Sequence, residues 1–153
     1  MRLITSVLLL LVLPLVGCAT PSSYKDVILP VKALDQADGS ILVLASGNGY
    51  TPLEAVGEFT YLKAAETVQA RGHKCFEVLG ENTRMTKQST PSLYGGAYLH
   101  YFPEARLRIK ILPELTDCEV NNAARLIEEL TPRVEEKDRY RKLRQDWDKN
   151  EMF

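Results

Sequence analysis

Three cysteines and two histidines are the side chains of this 153-residue chain best equipped for chemistry, and their spacing limits what each can do. Cys18 closes the stretch Leu15-Val16-Gly17-Cys18, at the end of a ten-residue apolar run from Val7 to Val16 that follows the lone positive charge of Arg2. A charged start, a short apolar stretch and a small residue before a cut mark an export signal, and the residue after the cut is here a thiol, which can be acylated. His73 and His100 form no pair at helical spacing, and the chain has no Cys-x-x-Cys, His-Glu-x-x-His or Gly-x-Ser-x-Gly stretch. The usual spacings for zinc, dithiol redox and a nucleophile elbow are therefore absent. A Ser, His, Asp arrangement assembled from distant positions stays open. The reading is of a protein that is not an enzyme, with no catalytic, cofactor or metal residue to name.

A membrane-spanning anchor needs roughly 20 apolar residues. The run before Cys18 is half that and is interrupted by Pro14. It resembles the bacterial lipobox, the four-residue signal read by the lipoprotein signal peptidase. That resemblance implies that Cys18 receives a diacylglycerol thioether, becomes the mature N-terminus and gains a third acyl chain in most diderm bacteria. At about 0.8 kcal/mol per buried methylene, two or three chains hold a protein on a membrane almost permanently. Ala19 follows the cysteine where inner-membrane lipoproteins typically carry aspartate. The resemblance thus implies the periplasmic face of the outer membrane, with no transmembrane helix in the mature form.

Lys and Arg number 19 against 20 Asp and Glu, for a formal net charge of −1. That balance does not suit nucleic acid, which calls for a basic face. What remains after residues 1–17 suffices for one compact domain and is too short for two well-cored ones. The other two cysteines, Cys75 and Cys118, fit an oxidising compartment in which disulfides persist. Bridged, they would close a loop of about 44 residues, with a chain-entropy contribution of roughly 4 kcal/mol. Unbridged, they would pack as two small hydrophobes.

Residues 18–39 read as a lipidated tether broken by Pro21, Pro30 and Asp38-Gly39, with Val27-Ile28-Leu29 able to dock or to form a short edge strand. Ser40 to Ser46 reads as a strand. The Gly47-Asn48-Gly49-Tyr50 turn leads to a helix with Thr51 as N-cap, Pro52 at its first position and Glu54 completing a capping box. The helix is expected to stop at Gly72, with Leu53, Gly57, Tyr61, Ala64, Ala65 and Val68 on its apolar face. Lys74 to Leu79 is the next strand, parallel to the first across the helical crossover. Gly80 to Ala97 reads as a long polar connection, either plainly disordered or, through Arg84, Lys87, Tyr94 and Gly95-Gly96, the best place for partner contact. Tyr98–Phe102 and Arg106–Leu112 are one bent strand or a hairpin, the latter part with Leu107, Ile109 and Ile111 dry and Arg106, Arg108 and Lys110 wet. A second helix is expected from Thr116-Asp117-Cys118-Glu119, its stripe Val120, Ala123, Ala124, Ile127 and Leu130, interrupted at Thr131-Pro132. A charged helical extension, 132–153, follows, with Tyr140, Leu143 and Trp147 on one face.

The Gly47-to-Thr51 turn, the helix containing Tyr61-Leu62-Lys63-Ala64-Ala65-Glu66, the stop at Gly72 and the Asn122-Ala123-Ala124-Arg125 helix start together resemble a family of small uncharacterised proteobacterial envelope lipoproteins. The likeness spans roughly residues 40–130. It implies architecture and location only, and the family's aromatic, glycine-rich insert is replaced here by the shorter polar Gly80–Ala97 stretch. The expected fold is α+β: a small two-layer domain over 40–131, a short mixed sheet with helices on one face, in the order β-α-β-β-α. The expected role is non-enzymatic, in interaction, assembly or stress sensing with envelope protein partners. The alternative is a binder of a small glycan or anion at Gly47, Asn48, Gly49 and Thr51, where a helix N-terminus offers backbone donors. No cofactor is expected.

Overall fold

A computed structural model of the chain describes residues 24–25, 30–93, 95–113, 118, 121–136 and 139–140. Cys18, Tyr94, Thr116, Asp117, Glu119, Val120, Leu143 and Trp147 lie outside these residues. The elements are β1 (Lys32–Asp35), β2 (Ile41–Ser46), α1 (Leu53–Ala70), β3 (Phe76–Pro91), β4 (Ala97–Ile111) and α2 (Ala123–Glu135). The result is an α+β domain with one four-stranded sheet in the order β1-β2-β4-β3.

Two expectations are corrected by that order. Gly80–Ala97 is no long connection: most of it is the outer part of β3, joined to β4 through the short Ser92–Gly96 turn, where Gly95 and Gly96 adopt φ of 87° and 80°. A connection that short makes its strands antiparallel. β4 then lies between β3 and β2, which run in the same direction but do not touch, so the sheet is antiparallel at each pairing rather than mixed. Tyr98–Phe102 and Arg106–Ile111 belong to a single strand.

Residues 32–35, at the end of the stretch read as a tether, form the edge strand β1. The Asp38-Gly39 turn builds that hairpin. Gly39 takes φ 79°, the Asp38 carboxylate accepts from the Ser40 amide at 3.1 Å and from the Ser40 hydroxyl at 2.6 Å, and Arg108 of β4 pairs with Asp38 while donating to Ser40 Oγ at 2.9 Å. The Ser40 hydrogen bonds, aided by Arg108, hold the Asp38 carboxyl below its usual range.

Alternation along β2 buries Ile41, Val43 and Ala45, and along β4 it buries Ala105, Leu107 and Ile109. α1 covers that face. Its buried residues include Ala55, Val56, Phe59 and Leu62 as well as the expected Ala64, Ala65 and Val68, whereas Leu53, Gly57 and Tyr61 are only half-buried. The face is wider than a single stripe because α1 is covered on two sides, by the sheet and by α2 with Tyr140. Its end is the expected one: the Gly72 amide donates to Gln69 O at 2.9 Å and the His73 amide to Val68 O at 3.1 Å, with Gly72 at φ 80°. That paired arrangement closes the last turn in a Schellman motif.

Both helix starts differ from expectation. α1 begins at Leu53 with Pro52 as N-cap and no side-chain cap, because the buried Thr51 hydroxyl turns back to donate to Asn48 Oδ1 at 2.9 Å. α2 begins at Ala123, where Asn122 Oδ1 accepts from the Arg125 amide at 3.2 Å. Pro132 does not end α2, which continues to Glu135. Beyond it Tyr140, 1% exposed, meets Phe59 edge-on at 5.8 Å between ring centroids, and Tyr24 meets the same ring at 5.9 Å. Both flanking segments are thus fastened to α1 where they are described.

Candidate functional site

The sequence-flagged residues fall into three places. Cys75 immediately precedes β3 and Cys118 precedes α2, with sulfurs at disulfide distance and Cα atoms 6.0 Å apart. Around them the Leu112 amide donates to Cys75 O at 3.0 Å and the Ala123 amide to Lys74 O at 2.9 Å, so this pair joins elements that are already packed together. His73 and His100 lie apart: His73 follows α1, with a buried Nδ1 that has no hydrogen-bond partner among the described residues, whereas His100 stands on β4 with its ring 6.2 Å from that of Phe102. Among the described residues no group of three or more His, Cys, Asp or Glu could hold a metal ion.

The Gly47–Thr51 turn is held by bonds from its Gly47, Tyr50 and Thr51 amides and its Thr51 hydroxyl. Asn48 O accepts from the Thr51 amide at 3.0 Å, Asn48 Oδ1 accepts from the Tyr50 amide at 3.0 Å and from the Thr51 hydroxyl, and the Gly47 amide donates to Pro103 O at 2.9 Å. A Cβ on Gly47 would stand 2.5 Å from Thr51 Cβ, so glycine is required there by close approach. Pro52 has no amide to offer. These bonds make the motif a compact joint between β2, α1 and β4.

That joint stands beside the feature missed in the sequence. Beyond Glu104, β4 has lost β2, and the seven pairs from Met85↔Pro103 to Pro91↔Ala97 form a two-stranded ribbon. It exposes Leu93 fully at its tip, and Tyr98, Leu99 and Tyr101 at 60%, 50% and 43%. Tyr50 of the turn, also exposed, faces it across an open concavity of about 540 Å³ lined by Asn48, Gly49, Tyr50 and Leu99–Phe102. Residues 82–103 contain Arg84 and Lys87 but no Asp or Glu, in a chain with 20 acidic residues. The ribbon is therefore aromatic and cationic. Gly95-Gly96 flanked by threonines and tyrosines was the available signal of a hairpin. Of the flagged partner-contact residues, Arg84 and Lys87 lie on β3, and Arg84 is paired with Glu104 at 3.4 Å.

In the second turn of α1, Glu58 gathers the C-terminal segment. It accepts two bonds from Arg139 at 2.8 Å each, one from Arg133 at 2.6 Å and one from Tyr140 at 3.1 Å. Burial alone would raise its pKa, but the Arg139 and Arg133 contacts outweigh it and hold the carboxyl below its usual range. Burial, together with the nearby Glu58 charge, pushes the Tyr140 hydroxyl up. Beside this cluster, a crevice of about 380 Å³ between α1, α2 and β3 is spanned by Tyr61 donating to Glu81 at 2.8 Å. Burial first, then the Glu81 contact, pushes the Tyr61 hydroxyl up to about 12. The inward-facing partners of Glu58 mark this region as a structural clasp.

Among the described residues no helix is long and apolar enough to cross a membrane. No protein-family model, curated protein or solved structure matches the chain.

Proposed function

We infer that this is a bacterial envelope lipoprotein, anchored through Cys18 at the periplasmic face of the outer membrane, with a non-enzymatic role in interaction, assembly or stress sensing. The observation that carries the interaction reading is the ribbon of Met85–Pro91 and Ala97–Pro103, whose exposed Tyr98, Leu99 and Tyr101 are not consumed by the core. Aromatic side chains offer large contact area at low entropic cost and dominate protein interfaces. The lipobox resemblance supports the location, and the likeness of the Gly47–Thr51 turn to small envelope lipoproteins agrees with it.

Two experiments test the reading. A palmitate analogue should label the wild-type protein but not Cys18→Ser, whose precursor should stay uncleaved; label on the variant removes the anchor. A photoreactive residue in place of Tyr98 should yield discrete protein adducts in intact envelopes, and the absence of adducts there removes protein contact as the role of the ribbon.

A further inference from the structure

We propose that the β2-side edge of β4 at Ala97–Tyr101 receives an acidic, extended segment of a partner protein as an added β-strand. This deepens the protein-contact reading above and rests on it. β2 ends at Ser46, and the Gly47 amide makes the last rung to Pro103 O at 2.9 Å. Backbone groups of alternate residues on a strand point the same way. Those of Tyr101 and Leu99 therefore face the side that β2 has left, and Tyr101 O looks toward Gly49, 3.6 Å from where a Cβ would be. Among the described residues β4 has no strand there, while its other edge is paired with β3 as far as Ala97.

The sheet's two outer edges carry the usual safeguards against strand addition and this one does not. β1 is only four residues long. β3 is interrupted by a bulge between Val78 and Gly80, presents Glu77, Glu81, Arg84 and Lys87, and ends at Pro91. Short strands, bulges, charges and proline are the means by which natural sheets blunt their edges. Ala97–Tyr101 has none of them. A strand laid along it would continue the line of β2, stop against the Asn48–Tyr50 turn and set its side chains beside exposed aromatic rings, with main-chain bonds giving affinity and side chains selectivity. Charge selects the occupant: Arg84 is paired with Glu104, and from Met85 to Pro103 the ribbon carries Lys87 without an acid, so an acidic segment is attracted and a second copy of the same cationic ribbon is not.

Amide hydrogen exchange on the full-length protein tests this, with a capped peptide of alternating valine and glutamate as the probe. The Leu99 and Tyr101 amides should exchange freely in the protein alone and slow when the peptide is added. Leu99→Pro deletes one edge donor at a position equivalent to that of the native Pro103, so it spares the ladder to β3. It should weaken binding about tenfold, the order expected for one backbone hydrogen bond, and more than Leu99→Ala does. The lysine counterpart and a peptide N-methylated on its edge-facing amides should bind at least tenfold more weakly. Protection of both amides without peptide, or equal losses from Leu99→Pro and Leu99→Ala, would overturn the proposal. So would undiminished binding of the lysine or N-methylated peptide. If adducts from position 98 persist while no peptide protects these amides, strand addition falls and protein contact stands; if the adducts are absent, protein contact falls as well.

Discussion

The two halves of β4 share one strand and one partner, β3, yet they solve different problems. From Ala105 to Ile109 the strand lies between β2 and β3 under α1, with Leu107 and Ile109 fully buried. From Ala97 to Tyr101 it has, among the described residues, β3 alone, and its apolar side chains stand in water. A two-stranded hairpin by itself is marginally stable at best. The outer half is therefore ordered by its continuity with the inner half, and its aromatic residues do little for folding. Exposed apolar side chains grouped on one projection mark an interaction surface.

The sharpest way to break that contrast is to truncate one leucine in each half. Leu107→Ala should cost about 2 to 5 kcal/mol, the range for a fully buried leucine. Leu99→Ala should fall within about 0.5 kcal/mol of wild type, as surface changes do. Chemical denaturation of the two variants checks both, and a comparable loss from each would mean that the ribbon belongs to the core.

The next effect concerns the Cys75–Cys118 pair, which lies at the core end of β3. With a bridge in place, the native protein should show no alkylatable thiol at these positions before reduction, and reduction should remove about 2 to 4 kcal/mol. Each single Cys→Ala variant should be destabilised similarly and the double variant little further. Two thiols alkylated in unfolded, unreduced protein would return the pair to simple packing groups.

The joint between the halves comes third. Gly47→Ala places its methyl against Thr51 and should cost about 1 to 3 kcal/mol, the range for overpacking. An unchanged melting temperature would show that the turn yields freely.

Glu58 gives the smallest effect. Its folded-state pKa lies below the ordinary 4.5, so its contribution is fully present above that value and is lost as pH falls through the folded-state pKa. Acidification below about pH 4.5 should therefore loosen the Arg139–Tyr140 segment before the sheet, as read by exchange at the Tyr140 amide. Arg139→Gln should cost about 1 kcal/mol, reduced from the buried-pair range by the 42% and 25% exposure of Arg133 and Arg139. Simultaneous loss of both regions on acidification would show that the clasp has no separate titration.

Much of the inner half was legible in the residues. The apolar run Ile41–Ala45, the apolar alternation in Leu107–Ile111, and glycine after Arg71 mark elements whose burial or backbone geometry leaves a local pattern. The outer half left none. Thr83 to Thr90 is polar on both faces because most of that stretch of β3 is solvated on both faces, so period-two alternation, the signal that betrays a half-buried strand, is missing. What orders it is pairing with β4, a non-local contact. The true N-caps were obscured for a similar reason: Thr51 had the right type and spacing, but Asn48 claims its hydroxyl, and Asn122 caps α2 after the capping-box pattern at Thr116–Glu119. Of the candidate site, the Gly47–Thr51 turn is legible as a strand-to-helix joint, whereas the sequence marks Tyr98, Leu99 and Tyr101 only as strand residues.

The contrast proposed between the two halves is that the ribbon serves contact and the inner sheet serves stability. It is tested most directly by adding Leu99→Glu to the protein that carries a photoreactive residue at position 98, and reading melting temperature and envelope adducts on the same preparation. An unchanged melting temperature with loss of the adducts is expected, because an acid placed in the acid-free ribbon spoils contact and leaves the core alone. Retained adducts, or a fall in melting temperature comparable with that of Leu107→Ala, would contradict it.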